Sequence, residues 1–443
     1  ALSLLNCANN EIESLDVSHN PLLENLDCQI NQISTLDLSN NPSLAVLSCR
    51  SNLLQNLDVS QNLALKTLDC RGNQITGLDF SMNTSLTHLD CGANQLQLTQ
   101  LDVSGGALVE LNCSYNNLTE LVVSNNTNLQ RLECQQNQLT NLDLDNNPKI
   151  WLLDCSHNQL PELDIGSVTA LVDLVCRNNK LTSLVVGGNT LLGGLYCGNN
   201  QIESLILNNN DALLDLICDS NQITILDLSD NLRLRSILIN DNPLANLIMP
   251  IIPESKGGEF SHSNKSEFEA TATNTTLKSL NISKTALKSI NVLNFAVLDA
   301  LYVQGSMLDS LDVSGNVILR SLNTTDTPLK CIQVNQNQLN AIPAGWIKDA
   351  TTTYSVNCKS STSIDDEILA EVIIVYPNPA CDILTIESGI PLISVEIWSV
   401  AGVKLMELHD DLNEIPIIGL PEGVYIIRIE SEFGHLAKKF SKQ

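Results

Sequence analysis

The chain has 443 residues, 43 % hydrophobic but only 3 % aromatic, so a long core is possible and must be aliphatic. Its net charge of −27 argues against nucleic-acid phosphate or an anionic membrane surface as a partner. No run of about 18 apolar residues exists, which excludes a membrane-spanning helix.

The chain opens inside a repeat, at Leu2-Ser3-Leu4-Leu5-Asn6-Cys7, without a start methionine. A solenoid end exposes apolar surface unless a cap covers it, so a preceding N-terminal segment is expected. From Cys7 to Cys218, eleven cysteines recur at steps of 21 residues, with one step of 22 between Cys91 and Cys113. An asparagine follows each by three positions, from Asn10 to Asn221. A period this strict means one supersecondary unit stacked many times. Each cysteine fills the slot of a buried aliphatic residue, where a thiol acts as a small hydrophobe. Neighbouring rungs lie about 4.8 Å apart, whereas a disulfide wants Cβ atoms about 3.8 Å apart. Free thiols are therefore expected. Zinc is not, because no C-x-x-C pair appears.

One unit reads Leu26-Asp27-Cys28-Gln29-Ile30-Asn31, then Leu36-Asp37-Leu38-Ser39-Asn40-Asn41. The alternation in each half is strand-like, with Leu26 and Cys28 inward and Asp27 outward. A side-chain amide at each asparagine turn can bond the backbone of neighbouring coils, and a buried array of such amides is tolerable only if each is satisfied. Gly106 and Val168 replace the second turn asparagine in two coils. Two short segments and two turns leave no room for a helix. The spacing predicts parallel strands on two faces of a flat solenoid.

The second-segment aspartates Asp16, Asp37, Asp58, Asp79, Asp102, Asp143 and Asp164 form an outward column. Like charges at that spacing cost about 0.9 kcal/mol per pair in water. Bonds to serine or turn amides of the same coil would offset this, and a cation-binding or basic-partner face is the alternative. The first-segment outward column runs through Asp69, Asp90, Glu133 and Asp154, then turns apolar at Val175, Tyr196, Ile217 and Leu238. The second segment turns apolar nearby, at Val185 and Ile206. Stacked apolar side chains on an exposed sheet are a candidate partner patch. Plain β-packing, or cover by the irregular segment that follows, is the competing reading. Arg50, Arg71 and Arg177 read as scattered basic residues beside the column.

Beyond Cys218 the ladder continues with Ile239 and Asn242, then loses its pattern over residues 250–275. The 43 residues from Ile239 to Ile282 fit one degenerate or looped-out coil. Repeats resume at Ile282, Val303 and Thr324. About sixteen coils at 4.8 Å each make a rod roughly 75 Å long. Residues 1–330 are thus the repeat solenoid. Aromatics and a cysteine pair then mark a cap over 331–358, with Trp346 and a Cys331–Cys358 disulfide worth about 3 kcal/mol; two free thiols are the alternative. Residues 359–372 are an acidic linker. Short strands with turn signals over 373–443 predict a small β-sandwich. The fold class is mainly β.

The 21-residue unit with cysteine in a leucine slot resembles the leucine-rich repeats of internalin-J-like bacterial surface proteins. That resemblance covers residues 1–330 and implies a non-catalytic binding or adhesion scaffold. The last part resembles the type A sorting domain of the type IX secretion system of Bacteroidetes. It carries Tyr376-Pro377-Asn378-Pro379-Ala380, Ala401-Gly402, Leu420-Pro421-Glu422-Gly423-Val424-Tyr425 and the terminal Lys438-Lys439. This implies engagement with the secretion machinery, export across the outer membrane and removal of the domain. The cap is similar to caps of other proteins that join these two modules.

No catalytic constellation is found. The six histidines share no ligand spacing, and neither a G-x-S-x-G nor a Walker loop is present. Asp143-x-Asp145-x-Asn147 mimics the start of a calcium loop without its glycine and closing glutamate. The sequence therefore reads as a secreted or surface-displayed scaffold, neither enzyme nor cofactor protein. It would bind a protein of a host or neighbouring cell. A glycan-binding surface protein and a passive spacer are the alternatives. Glycan capture would want aromatic platforms, and only Tyr196 and Tyr302 lie on predicted exposed strands.

Overall fold

A computed structural model describes residues 2–94, 98–250, 276–358, 373–388, 392–399, 403–409, 412–431 and 434–443. The first compact unit comprises Ala1–Ile252 with Thr273–Val356, and a second runs over Asn357–Gln443. In the first, the coils contribute three-residue strands such as Asn25–Asp27, with the central residue, usually leucine, buried and the flanking side chains outward. Sixteen such strands pair into one parallel sheet, from Leu4–Asn6 to Gly345–Ile347. The register aligns Leu5 with Leu26 and Leu26 with Leu47, so like side chains stack along the solenoid. The cysteine after each strand is buried from Cys28 onward and only partly at Cys7.

Two residues past the cysteine the chain turns through a left-handed conformation, as at Ile30 (φ 56°) and Ala93 (φ 53°). Gly72 and Gly305 occupy the same slot, where the missing Cβ removes the clash that side chains meet there.

The second segments differ from the expected continuous face. They pair as strands in three places among the described residues: Gly77–Asp79 with Gln100–Asp102, Ile225–Asp227 with Asn246–Ile248, and Leu311–Asp312 with Cys331–Gln333 and Thr353–Ser355. Each lies where the regular repeat is interrupted. The first flanks the 22-residue step, the second precedes residue 250, and the third leads into the cap.

Strand Ser236–Leu238 pairs directly with Ser279–Asn281. Strands 43 residues apart in the chain are thus neighbours in this sheet. The irregular segment itself, like the 359–372 linker and Ala401-Gly402, falls outside the described residues, Pro250 apart.

The solenoid ends under aromatic side chains. Trp346 is buried, aligns with Leu322, donates its indole N–H to the Leu319 carbonyl at 3.0 Å and stands 5.7 Å from the Tyr354 ring. In a short helix, Gln336–Asn340, the Gln338 side chain donates to the carbonyls of Val313 and Asn316, replacing the turn asparagine of a further coil. Cys331 and Cys358 are disulfide-bonded, and the other twelve cysteines are free.

The second unit is an antiparallel sandwich. One sheet holds Ile373–Tyr376, Ile383–Ser388 and Glu414–Pro416, and the other holds Leu392–Ser399, Lys404–Leu408, Gly423–Ser431 and Gly434–Lys442. Ile386, Ile397, Ile427 and Phe440 meet between them in one core.

Candidate functional site

The turn amides decide how rigid the display surface is. In the first ladder the amides from Asn31 onward are used at both ends: Asn52 Nδ2 donates to the carbonyls of Cys49 and Cys28 at 3.0 Å, and its Oδ1 accepts the Ile33 amide at 2.9 Å. The second ladder is satisfied only by half, except at Asn126, whose Oδ1 accepts the Leu108 amide at 3.0 Å. Asn62 Nδ2 donates to Leu38 and Asn41, while its buried Oδ1 has no partner, as also at Asn41, Asn83 and Asn147.

The second-segment aspartates bond their own coil. Asp16, Asp37, Asp58 and Asp79 each accept the serine amide two residues on, at 2.8–3.0 Å. Those bonds hold their carboxyls below the usual range. Asp143 accepts the Asp145 amide while Asn147 turns inward to donate to Val123 and Asn126, so the calcium-like triplet does not converge. Among the described residues no three His, Cys, Asp or Glu side chains are grouped to hold a metal ion.

On the sixteen-stranded sheet the acidic half is a charge network. Arg71 spans Asp69 at 3.2 Å and Asp90 at 3.0 Å, Arg50 stands 3.9 Å from Asp69, and Arg131 pairs with Glu133 at 2.6 Å. Arg50 and Arg71 are therefore not scattered, which corrects the sequence reading. Burial pushes Asp69 and Asp90 up despite these arginines. It also pushes Asp154 up, although Asp154 accepts both the amide and the hydroxyl of Ser156.

The apolar half lies directly beyond. Val175, Tyr196, Ile217 and Leu238 are consecutive register partners, each half-buried. Val185 and Ile206 are far more open, at 80 % and 69 % exposure, but they sit on second segments outside this sheet. The six apolar candidates therefore form two separate groups. Tyr302 stands beyond the row, and Trp151, 39 % exposed beside strand Leu152–Asp154, is an aromatic platform that the alternation pattern did not reveal.

Tyr196 is bounded by glycines. A Cβ placed on Gly194 would lie 2.7 Å from the Tyr196 ring and 2.5 Å from an Asp173 carboxylate oxygen. Ring and carboxylate thus share the space that a side chain at 194 would fill. Burial, then Asp215 and Asp173, raise the Tyr196 phenol above its ordinary value.

In the C-terminal unit the singled-out residues converge on the last strand. Asn378 Oδ1 accepts the Ser441 amide at 3.0 Å and its hydroxyl at 3.1 Å, and Asn378 Nδ2 donates to the Lys439 carbonyl at 3.3 Å. Pro377 and Pro379 flank it, both after cis peptide bonds. Lys438 Nζ donates to the Ile373 carbonyl at 2.9 Å. Tyr425 donates its hydroxyl to the Pro421 carbonyl at 2.7 Å, stacks 5.6 Å from Phe440, and lies over Gly423. A match to the secretion system C-terminal sorting domain family covers residues 374–443. The C-terminal unit is a secretion sorting domain. It marks the chain for export through the type IX system to the cell surface or beyond, with the tail removed. Among the described residues no helix is long and apolar enough to cross a membrane.

The functional domain of InlJ from Listeria monocytogenes, which includes a cysteine ladder, is similar at 25 % identity and a TM-score of 0.56, over 100 % of this chain and 86 % of that one. A leucine-rich-repeat protein of Leptospira interrogans is similar at 17 % identity and a TM-score of 0.51, over 75 % and 85 %. The plant peptide-hormone receptor RGFR1, solved in complex with RGF2, matches at 18 % and 0.51, over 72 % and 63 %. No curated protein sequence matches the chain. In sequence the sorting domain thus follows an internalin-like leucine-rich-repeat solenoid with a cysteine ladder.

Proposed function

We propose that this exported repeat protein is a non-catalytic scaffold that holds a protein of a host or neighbouring cell on its sixteen-stranded sheet. The observation that carries the reading is the change along one outward column. Acidic side chains neutralised by Arg50, Arg71 and Arg131 give way to four adjacent apolar ones at Val175, Tyr196, Ile217 and Leu238. A half-open apolar row on a rigid sheet gains free energy when a partner excludes water from it. Sorting residues such as Asn378 and Lys438 serve export, while the solenoid does the binding.

The test is capture from host, bacterial and matrix extracts by wild type and by Tyr196→Asp/Ile217→Asp, with folding checked by thermal melts. A protein held by wild type and lost by the folded variant supports the reading. Equal capture by both puts the site elsewhere. Trp151 favours a second reading, glycan binding; retention on a polysaccharide array with no protein captured would replace the first reading by it.

A further inference from the structure

The coil Gly193–Gly198 is unlike its neighbours. Three glycines, Gly193, Gly194 and Gly198, surround Leu195, Tyr196 and Cys197. Leu195 and Cys197 point into the core, so Tyr196 is the outward side chain of its strand beside two bare glycines. The Cε2 edge and the hydroxyl of its ring fill the space above Gly194.

The walls are acidic. Asp173 and Asp215 are the register partners of Gly194 on either side, one strand spacing of about 4.8 Å away each. Neither carboxylate has a hydrogen bond or ion pair among the described residues. Burial, then the Asp215 charge, push the Asp173 carboxyl up. The Asp219 carboxylate lies in the space above Gly198, two residues along the chain from Tyr196; its Oδ2 accepts the Ser220 hydroxyl at 3.4 Å and its buried Oδ1 has no hydrogen-bond partner. The acidic half of the sheet supplies arginines to its own carboxylates; here the neighbouring Arg177 stands in the slot of Gly198 one coil back with its buried Nε unpaired, and it reaches neither Asp173 nor Asp215.

We propose that the Gly193–Gly198 coil seats a lysine or arginine side chain of the protein partner, with the Tyr196 ring as floor and Asp173 and Asp215 as walls. A cation over an aromatic face is attracted by the ring quadrupole, more strongly when desolvated. The carboxylates add charge-assisted hydrogen bonds. The apolar neighbours Val175 and Ile217 hold the aliphatic stem of such a side chain. Charge complementarity selects the occupant: an uncharged ligand would leave Asp173 and Asp215 unpaired beneath it. This deepens the protein-binding reading and rests on it.

The probe is tetra-arginine peptide, titrated calorimetrically into the full chain at about 0.15 M salt, where exposed charges beyond about 8 Å are screened. Tetra-citrulline, of similar shape and no side-chain charge, is the control ligand. Asp173→Asn/Asp215→Asn is expected to weaken tetra-arginine binding roughly tenfold, and Tyr196→Leu several-fold. Asp37→Asn/Asp58→Asn makes the same charge change on the second segments and is expected to stay within about twofold, as a distant rim change does. Equal weakening by the two Asp pairs would mean attraction to net charge alone and overturns the proposal. So does unchanged binding in Tyr196→Leu, equal binding of tetra-citrulline, or no binding by wild type. The two readings fail differently: if extract capture survives Asp173→Asn/Asp215→Asn but is lost in Tyr196→Asp/Ile217→Asp, the patch stands and the cation seat falls.

Discussion

Asn52 is tied to Cys28 of the preceding coil, its amide donating to the Cys28 carbonyl at 3.0 Å while its Oδ1 holds the Ile33 amide. Removing that side chain strands the buried Ile33 amide, while the Cys28 and Cys49 carbonyls keep the amides of Asn31 and Asn73. Asn52→Ala is expected to cost about 1–3 kcal/mol, the penalty of one stranded group. Asn62 lacks a donor to its Oδ1, and Val168 naturally fills the equivalent slot fully buried. Asn62→Val should therefore cost less than Asn52→Val. Urea midpoints at unchanged slope decide this, and equal losses would contradict the distinction.

The ladder thiols are structural. Burial pushes Cys28 up to about 12, and Cys49 and Cys70 rise well above an ordinary thiol for the same reason. Only the thiolate reacts, so the folded chain should show prompt reaction with Ellman's reagent at exposed Cys381 and slower reaction at part-buried Cys7. The remaining ladder cysteines should appear only on unfolding. Prompt reaction of the whole ladder in the folded chain would contradict the buried stack.

Asp154 and Asp58 should titrate in opposite senses. Burial raises the folded Asp154 carboxyl above its unfolded value, so its ionisation works against folding. Asp154→Asn is expected to stabilise at pH 7, and the gain to fade as pH falls through the folded value, vanishing below the unfolded one. Serine bonds lower Asp58, whose contribution is full above the unfolded value and lost as pH falls through the folded one. Asp58→Asn should cost stability at pH 7 and nothing in strong acid. Thermal melts from pH 7 to about pH 3, spanning the ordinary carboxylate range, read both slopes.

Much of this was legible in the residues. The cysteine period gives the inward stack because a strand alternates faces and a coil repeats them. The Asp-x-Ser spacing gives the capped carboxylates because that reach is local. Long-range side-chain reach was not legible. Arg71 meets Asp90 of the next coil, and nothing in the 19-residue separation says whether the guanidinium turns toward it. That Tyr196 folds over Gly194 likewise depends on a rotamer, which the pattern leaves open. The second segments look strand-like throughout, yet they pair only near interruptions, because alternation fixes facing and not the distance between coils.

Asn378 fastens the Pro-Asn-Pro turn to the last strand through Ser441 and Lys439. Asn378→Ala should loosen that strand by about 1–2 kcal/mol and reduce the share of the chain exported. Immunoblots of cells and medium measure it. Undiminished export with a loosened strand would show that the machinery reads something other than this clamp.

The most direct test of the binding surface is photo-crosslinking, with a benzophenone side chain installed in place of Ile217 or, in a separate chain, in place of Val185. Both variants expose a reactive apolar group, but only position 217 belongs to the apolar row of the sixteen-stranded sheet. A discrete covalent adduct with a surface protein from position 217 and none from position 185 is the predicted result. Adducts from 185 alone would place the partner on the second segments and contradict the account.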